Sequence, residues 1–283
     1  MGFAIDKLDM WSPDGEFKVD AERTIAYAAA TNDPIPAHRD GDLAPPVFAV
    51  VPVWDTMALS MASVTPQEYM LQVVHGEQDM RWRRPLKPGD VLTSRAAPIG
   101  IHVKPSGTTV VVKMESRDER GELVVEQYST TFFRGISEGE SAGEAPPEHK
   151  LSGTVKSSDP VATITQQMDD DQTFRYADAS GDRMPIHLDE EVAKSVGLPG
   201  IIIHGLCTMA FTSWAAITSV ADGDPARLRR LAVRFSRPVL PGREITTRLW
   251  EVDERDGLTT YGFETTNPEG NAVVKDGLAE VSA

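Results

Sequence analysis

At 283 residues, with 40% hydrophobic residues, the chain can bury an ordinary core in one large domain or two lobes. Its 28 Lys and Arg against 43 Asp and Glu give a formal charge of -15, which repels a nucleic-acid backbone and excludes that class of partner. The single Cys207 cannot form an intramolecular disulfide, so a reducing compartment, the cytoplasm, is expected.

In chain order, MGFAIDKLDMWSPDGEF lacks the basic start and apolar run of a secretory signal. No later stretch reads as the roughly 18 apolar residues needed to cross a bilayer, so no membrane partner is expected. A weak internal repeat follows. YAAATNDPIPAHRD from Tyr27 matches YADASGDRMPIHLD from Tyr176, 149 residues later. Thr-Met-Ala at Thr56 recurs at Thr208, and RWRRPLKPGDVL from Arg81 is echoed by RFSRPVLPGREI from Arg234. Near-constant offsets point to a duplicated lobe: residues 1–140, a linker at 141–158 poor in large apolar residues, and residues 159–283.

Within each half the order is a short helical segment, a loop carrying Asp and His, an apolar helix, then strands. His204–Val220 is apolar along almost its whole length, which predicts a helix buried on most sides. Leu231–Val239, Glu244–Asp253, Thr259–Thr266 and Ala272–Val281 read as strands separated by Pro-Gly, Asp-Gly and Glu-Gly turns. The fold class is α+β, a long helix wrapped by an antiparallel sheet in each of two lobes.

The informative segment is Tyr176 to His187, followed 17 residues later by His204-Gly205. Ser180, Gly181, Asp182, Pro185, Ile186 and His187, with Ile203, His204 and Gly205 downstream, resemble the motif of the MaoC-like (R)-specific enoyl-CoA hydratases and dehydratases. The resemblance implies a double hot dog fold with a degenerate first lobe. It also implies reversible hydration of a trans-2-enoyl thioester, on CoA or on a carrier protein. Asp182 and His187 would be the acid/base pair and Gly205 the oxyanion donor. Tyr176, Met184, Pro185, His204 and Ser213 would bind substrate or support the pair. CoA enters only as part of the substrate, and no separate cofactor is implied. The family Asn is Met184 here, whose thioether cannot donate a hydrogen bond. A catalytically silent thioester-binding subunit therefore stays open as an alternative.

The chemistry suits these residue types. Hydration removes a proton from water as its oxygen attacks C3, delivers a proton to C2, and places negative charge on the thioester oxygen meanwhile. A His and a carboxyl of raised pKa can share the protons, and a helix start offers free amides to the oxygen. His204 either takes part in catalysis directly or only caps or packs at the helix start. The His and carboxylate spacings fit no compact metal-ligand pattern, so no metal is expected.

Two Arg clusters are either solvated strand faces or contacts for the phosphates of the substrate: Arg81, Arg83, Arg84 and Lys87, and Arg227, Arg229, Arg230, Arg234 and Arg237. Arg234 and Arg237 are taken as the candidates for substrate binding. In the first lobe Asp33 and His38 occupy the places of Asp182 and His187, while Pro52 and Val53 stand opposite His204 and Gly205. Loss of an amide donor there predicts lost catalysis. Two lobes in one chain can meet the pairing that one-lobed relatives meet by dimerising, and a homodimer is left open.

Overall fold

The computed structural model describes residues 2–283. In chain order the regular elements begin with β1 (Gly15–Lys18), α1 (Ala21–Ala30), α2 (Pro36–Arg39), α3 (Trp54–Val64), β2 (Val73–Trp82), β3 (Val91–Lys104), β4 (Gly107–Arg117), β5 (Leu123–Arg134) and β6 (Ala142–Gly143). They continue with α4 (Gly153–Lys156), β7 (Ala162–Gln167), α5 (Gln172–Ser180), α6 (Glu190–Ser195), α7 (Gly205–Val220), β8 (Leu228–Phe235), β9 (Glu244–Arg255), β10 (Leu258–Thr266) and β11 (Ala272–Ser282).

These elements form two compact units that do not follow the halves of the sequence. The first contains the segment ending at Lys18, Pro52–Arg83 and Val91–Glu148; the second contains Val19–Val51, Arg84–Asp90 and His149–Ala283. The first half thus contributes α1 and α2 to the second unit, where α1 packs on α5.

In the first unit the sheet order is β1-β3-β4-β5-β2, every neighbouring pair antiparallel, with β6 also on β3. The α3 helix lies on β3 and β4. Its apolar side closes a core that includes Val53, Val64, Ile101, Val110, Met114 and Phe133. In the second unit the order is β8-β11-β10-β9-β7, again antiparallel throughout, and α7 lies on β7, β8 and β9. Nearly every residue of α7 from Leu206 to Ile217 is buried, which is why its sequence shows no polar stripe.

Two local expectations need correction, and a third gains detail. The strand expected at Leu231–Val239 runs from Leu228 to Phe235. Pro238 has no amide to give a ladder, so the chain leaves the sheet before it. The 141–158 stretch is mostly exposed, with His149 and Leu151 buried, and it is tied to the second unit at points along its length. His149 Nδ1 bonds the Asp276 carbonyl, the Leu151 amide donates to the Asp276 carboxylate, and the Trp250 indole donates to the Ser158 carbonyl. Finally, the 19 residues Pro46–Val64 are long and apolar enough to pass for a membrane span, contrary to the sequence reading. Here they form a 3-10 stretch and then α3, broken at Pro52, with Val47, Phe48, Val53 and Val64 fully or almost fully buried.

Candidate active site

The candidate site lies wholly in the second unit, where the α5 end, the following loop and the α7 start converge. The α5 helix stops at Gly181, whose φ of 89° is the left-handed conformation that glycine adopts without strain. The chain then turns sharply. The Asp182 amide donates to Ser180 Oγ at 3.1 Å, and Asp182 Oδ1 accepts the Met184 amide at 3.1 Å. Pro185 opens a single 3-10 turn that ends at His187. Sequence local to the motif therefore holds Asp182 half-buried and His187 buried on one loop.

The His187 Nδ1–H donates to the Ile202 carbonyl at 2.8 Å, which leaves its Nε2 lone pair available. Ligand atoms of Asp182, His187 and His204 lie within 4.8 Å of one another. Among the described residues no hydrogen bond joins the side chains of Asp182 and His187. A water bonded to two such atoms at about 2.8 Å each spans about 4.6 Å, so atoms within 4.8 Å and not directly bonded leave room for one bridging oxygen. Burial raises the Asp182 pKa, opposed by the nearby His187 charge and the Met184 amide. Burial lowers the His187 pKa, opposed by the Ile202 carbonyl and by Asp182. The two ordinary values are pushed toward each other, as proton sharing requires.

His204 precedes α7 but makes no side-chain cap. Its ring stacks on His187 with centroids 3.7 Å apart and planes 24° apart. Nε2 meets the Asp182 carbonyl at 3.0 Å, and Nδ1 meets Thr173 Oγ1 at 3.2 Å. A carbonyl only accepts, so Nε2 carries the proton and Nδ1 is left to accept, sharing the one Thr173 hydroxyl proton with the His187 carbonyl 3.0 Å from the same oxygen. Burial lowers the His204 pKa to about 3. With both His204 nitrogens engaged, a metal ion would find free donors on Asp182 and His187 alone, fewer than the three or four protein ligands of a typical zinc site.

Gly205 begins α7 and is partly exposed. A Cβ there would lie 3.3 Å from the Phe235 ring, a second reason for glycine beside close approach by a ligand. The uncapped first turn leaves amides pointing away from the helix, with the positive end of its dipole.

The other sequence candidates scatter. Tyr176 is buried behind the site, its ring 4.8 Å from that of His204 and its hydroxyl bonded to Tyr27 at 3.0 Å. Met184 is 43% exposed at the loop's outer side. Ser213, eight residues beyond Gly205, is buried and its hydroxyl has no partner. Arg234 pairs with Asp276 at 3.4 Å, and Arg237 is exposed in the loop after β8. Several other cluster members also face carboxylates: Arg81 with Asp79 and Glu126, Arg84 with Asp90, Arg227 with Asp222, Arg230 with Glu280. Thr173, the Ile202 carbonyl and Phe235 were not anticipated. Carrying the Tyr27/Tyr176 repeat three residues upstream, to Thr24 and Thr173, exposes the first of them.

In the first repeat the corresponding pair is closed. Asp33 Oδ1 accepts the Ile35 amide at 2.9 Å, repeating the turn at Asp182. Its Oδ2, however, takes His38 Nδ1 directly at 2.8 Å, and both side chains are buried. Thr24 bonds the Ala21 carbonyl instead of a ring.

Comparison with known proteins gives the family. Residues 151–272 match the MaoC like domain, and residues 38–135 match the MFE-2 hydratase 2 N-terminal domain. The chain is 33% identical over 238 residues to the Drosophila melanogaster peroxisomal multifunctional enzyme type 2, covering 80% of this chain and 39% of that one. It thus spans well under half of that relative. It is 30% identical over 218 residues to 3-hydroxyacyl-thioester dehydratase Y of Mycobacterium tuberculosis, covering 75% and 73% of the two chains. The crystal structure of a MaoC-like dehydratase from Phytophthora capsici superposes with a TM-score of 0.85 at 26% identity, covering 99% of this chain and 98% of that one. Helix-on-sheet units, the Asp182/His187 loop and these likenesses agree: both units are hot dog folds, and the chain belongs to the MaoC-like hydratase and dehydratase family.

Proposed function

We propose that this chain is a hydro-lyase that adds water reversibly to a trans-2-enoyl thioester, giving the (R)-3-hydroxyacyl product. The observation that carries the reading is that Asp182 and His187 offer side-chain atoms within 4.8 Å of each other without a direct hydrogen bond, beside the uncapped start of α7. The water's hydrogens are shared between the Asp182 carboxylate and the His187 Nε2 lone pair. As its oxygen bonds to C3, one proton passes into the pair and one passes from the pair to C2, so the pair ends as it began. Meanwhile the Gly205 end of α7 takes the growing charge on the thioester oxygen, a contribution of about 3 kcal/mol for a donor of this kind.

Run backward, the same atoms dehydrate a 3-hydroxyacyl thioester, the activity named for the mycobacterial relative. CoA is the proposed thiol, with Arg237 in the loop after β8 and Arg234 on β8 as candidates for its phosphates; no cofactor beyond the substrate is proposed. The buried unpaired Cys207 supports a reducing compartment, cytoplasm or organelle, the fly relative being peroxisomal by name.

The test is incubation with a trans-2-enoyl-CoA, following the ultraviolet absorbance of the conjugated thioester and the configuration of the product. Loss of absorbance with an (R)-3-hydroxyacyl-CoA product is expected. Release of free thiol would instead make the protein a thioesterase, and binding without turnover would make it a silent acyl-thioester subunit.

A further inference from the structure

The two repeats present the same turn with opposite outcomes. Asp33 and Asp182 each hold the amide two residues on, yet one carboxylate is bonded to its histidine and the other is not. Among the differences between the repeats, Pro52 stands at the aligned position of His204, so the first repeat carries no imidazole at that place in its sequence.

His204 reaches three parts of the open pair. Its Nε2–H holds the peptide oxygen of Asp182 at 3.0 Å, and its ring covers a face of His187 at 3.7 Å. Thr173 Oγ1, 3.2 Å from its Nδ1, also lies 3.0 Å from the peptide oxygen of His187 and 3.4 Å from that of Ile202, so its one proton is shared among three acceptors. The Ile202 oxygen is the one that anchors His187 Nδ1. Thus the backbones of both reacting residues and the anchor of the base meet on two side chains. Thr24, the repeat equivalent of Thr173, has no such ring to bond and turns to its own helix.

We propose that His204, backed by Thr173, is a positioning residue that works as a spacer: it keeps Asp182 and His187 a water's width apart, and without it the pair collapses into the direct hydrogen bond seen between Asp33 and His38. This deepens the hydratase reading and rests on it for its catalytic consequence. An uncharged ring is needed for the role, since an imidazolium stacked on His187 would repel its protonated form. Burial keeps His204 neutral. The titratable groups packed around the pair include Tyr176 from α5, Tyr27 from α1 behind it and Cys207 on α7, and the guanidinium bonded to this turn is that of Arg23 on α1, held by the Ser180 carbonyl. Burial raises the pKa values of the two tyrosines and the thiol, so these three stay uncharged.

The experiment is an NMR titration of the His187 ring in the full chain, without substrate, in wild type, His204→Leu, Thr173→Val and Thr173→Ser. Closure onto Asp182 stabilises the imidazolium, so the His187 pKa should rise by about one unit or more in His204→Leu. Thr173→Val should give a smaller rise, and Thr173→Ser, which keeps the hydroxyl, should restore the wild-type value. Enoyl-CoA hydration should fall by about 10-fold or more wherever the pKa rises. An unchanged His187 pKa in folded His204→Leu, or in Thr173→Val should His204→Leu not fold, overturns the spacer. Because the titration needs no turnover, it reads the spacing even if the hydratase reading fails.

Discussion

The hydroxyl of Tyr27 bonds the hydroxyl of Tyr176 at 3.0 Å, so a residue of the internal repeat meets its own copy 149 positions later. The bonds around it are reciprocal as well. Arg23 donates to the Ala179 carbonyl, and Gln172, the counterpart of Arg23, donates to the Ala30 carbonyl, the counterpart of Ala179. The α1 and α5 helices therefore pair as a self-complementary contact, as identical subunits do in a two-fold dimer. Removing one hydroxyl strands the other in a dry interior. Tyr27→Phe and Tyr176→Phe should each cost about 1–3 kcal/mol in chemical denaturation, and the double variant should cost less than their sum. Additive losses would show the bond contributes nothing.

Asp33 and His38 are a closed pair with no room for water between them, and His38 Nε2 has no partner. His38→Gln should leave hydration within about twofold of wild type per folded molecule while lowering stability by about 1–3 kcal/mol. A drop in turnover as deep as that from a change at His187 would assign the first repeat a share of the chemistry.

Acid sensitivity follows from His204. An unfolded histidine binds a proton near pH 6.5, but the folded ring resists until about pH 3. Its contribution is therefore full above pH 6.5 and is lost as pH falls toward 3, with a slope approaching about 1.4 kcal/mol per pH unit. His187, also lowered, acts in the same direction. Asp182, raised, acts in the opposite one: its contribution is present at low pH and lost as pH rises through its folded value. Urea unfolding of wild type and His204→Gln below pH 6.5 should show the steeper loss in wild type. Parallel curves would mean that the ring is protonated in the folded protein.

Gly205→Ala tests the helix start. Alanine favours the helix, so stability should hold or rise slightly. The added methyl, 3.3 Å from the Phe235 ring, forces one or the other to shift. Displacement of the thioester oxygen on that scale should lower kcat/KM by about 10-fold or more. Full activity would move the oxyanion contact elsewhere.

The reactive loop and the long helix were legible in the sequence because their signals are local. Gly181 sets the turn, Asp182 bonds an amide two residues on, Pro185 starts the 3-10 turn, and α7 is apolar on all sides. What escaped depends on residues far apart in the chain. The Tyr27–Tyr176 bond, and with it the assignment of residues 19–51 to the second unit, comes from packing of α1 on α5. The equal spacing of Asp33/His38 and Asp182/His187 conceals opposite geometry, because a ring 17 residues downstream and a hydroxyl 14 residues upstream of His187 set the separation. The 141–158 stretch looks unstructured by composition, yet the Asp276 bulge in β11 holds His149 and Leu151.

The central claim is that Asp182 and His187 act as one unit on one water. Its most direct test is the rate of trans-2-enoyl-CoA hydration by Asp182→Asn, His187→Gln and the double variant. Each single change should cost at least about 100-fold, and the double should cost scarcely more than either alone. Folded Asp182→Asn turning over within about threefold of wild type would contradict the account.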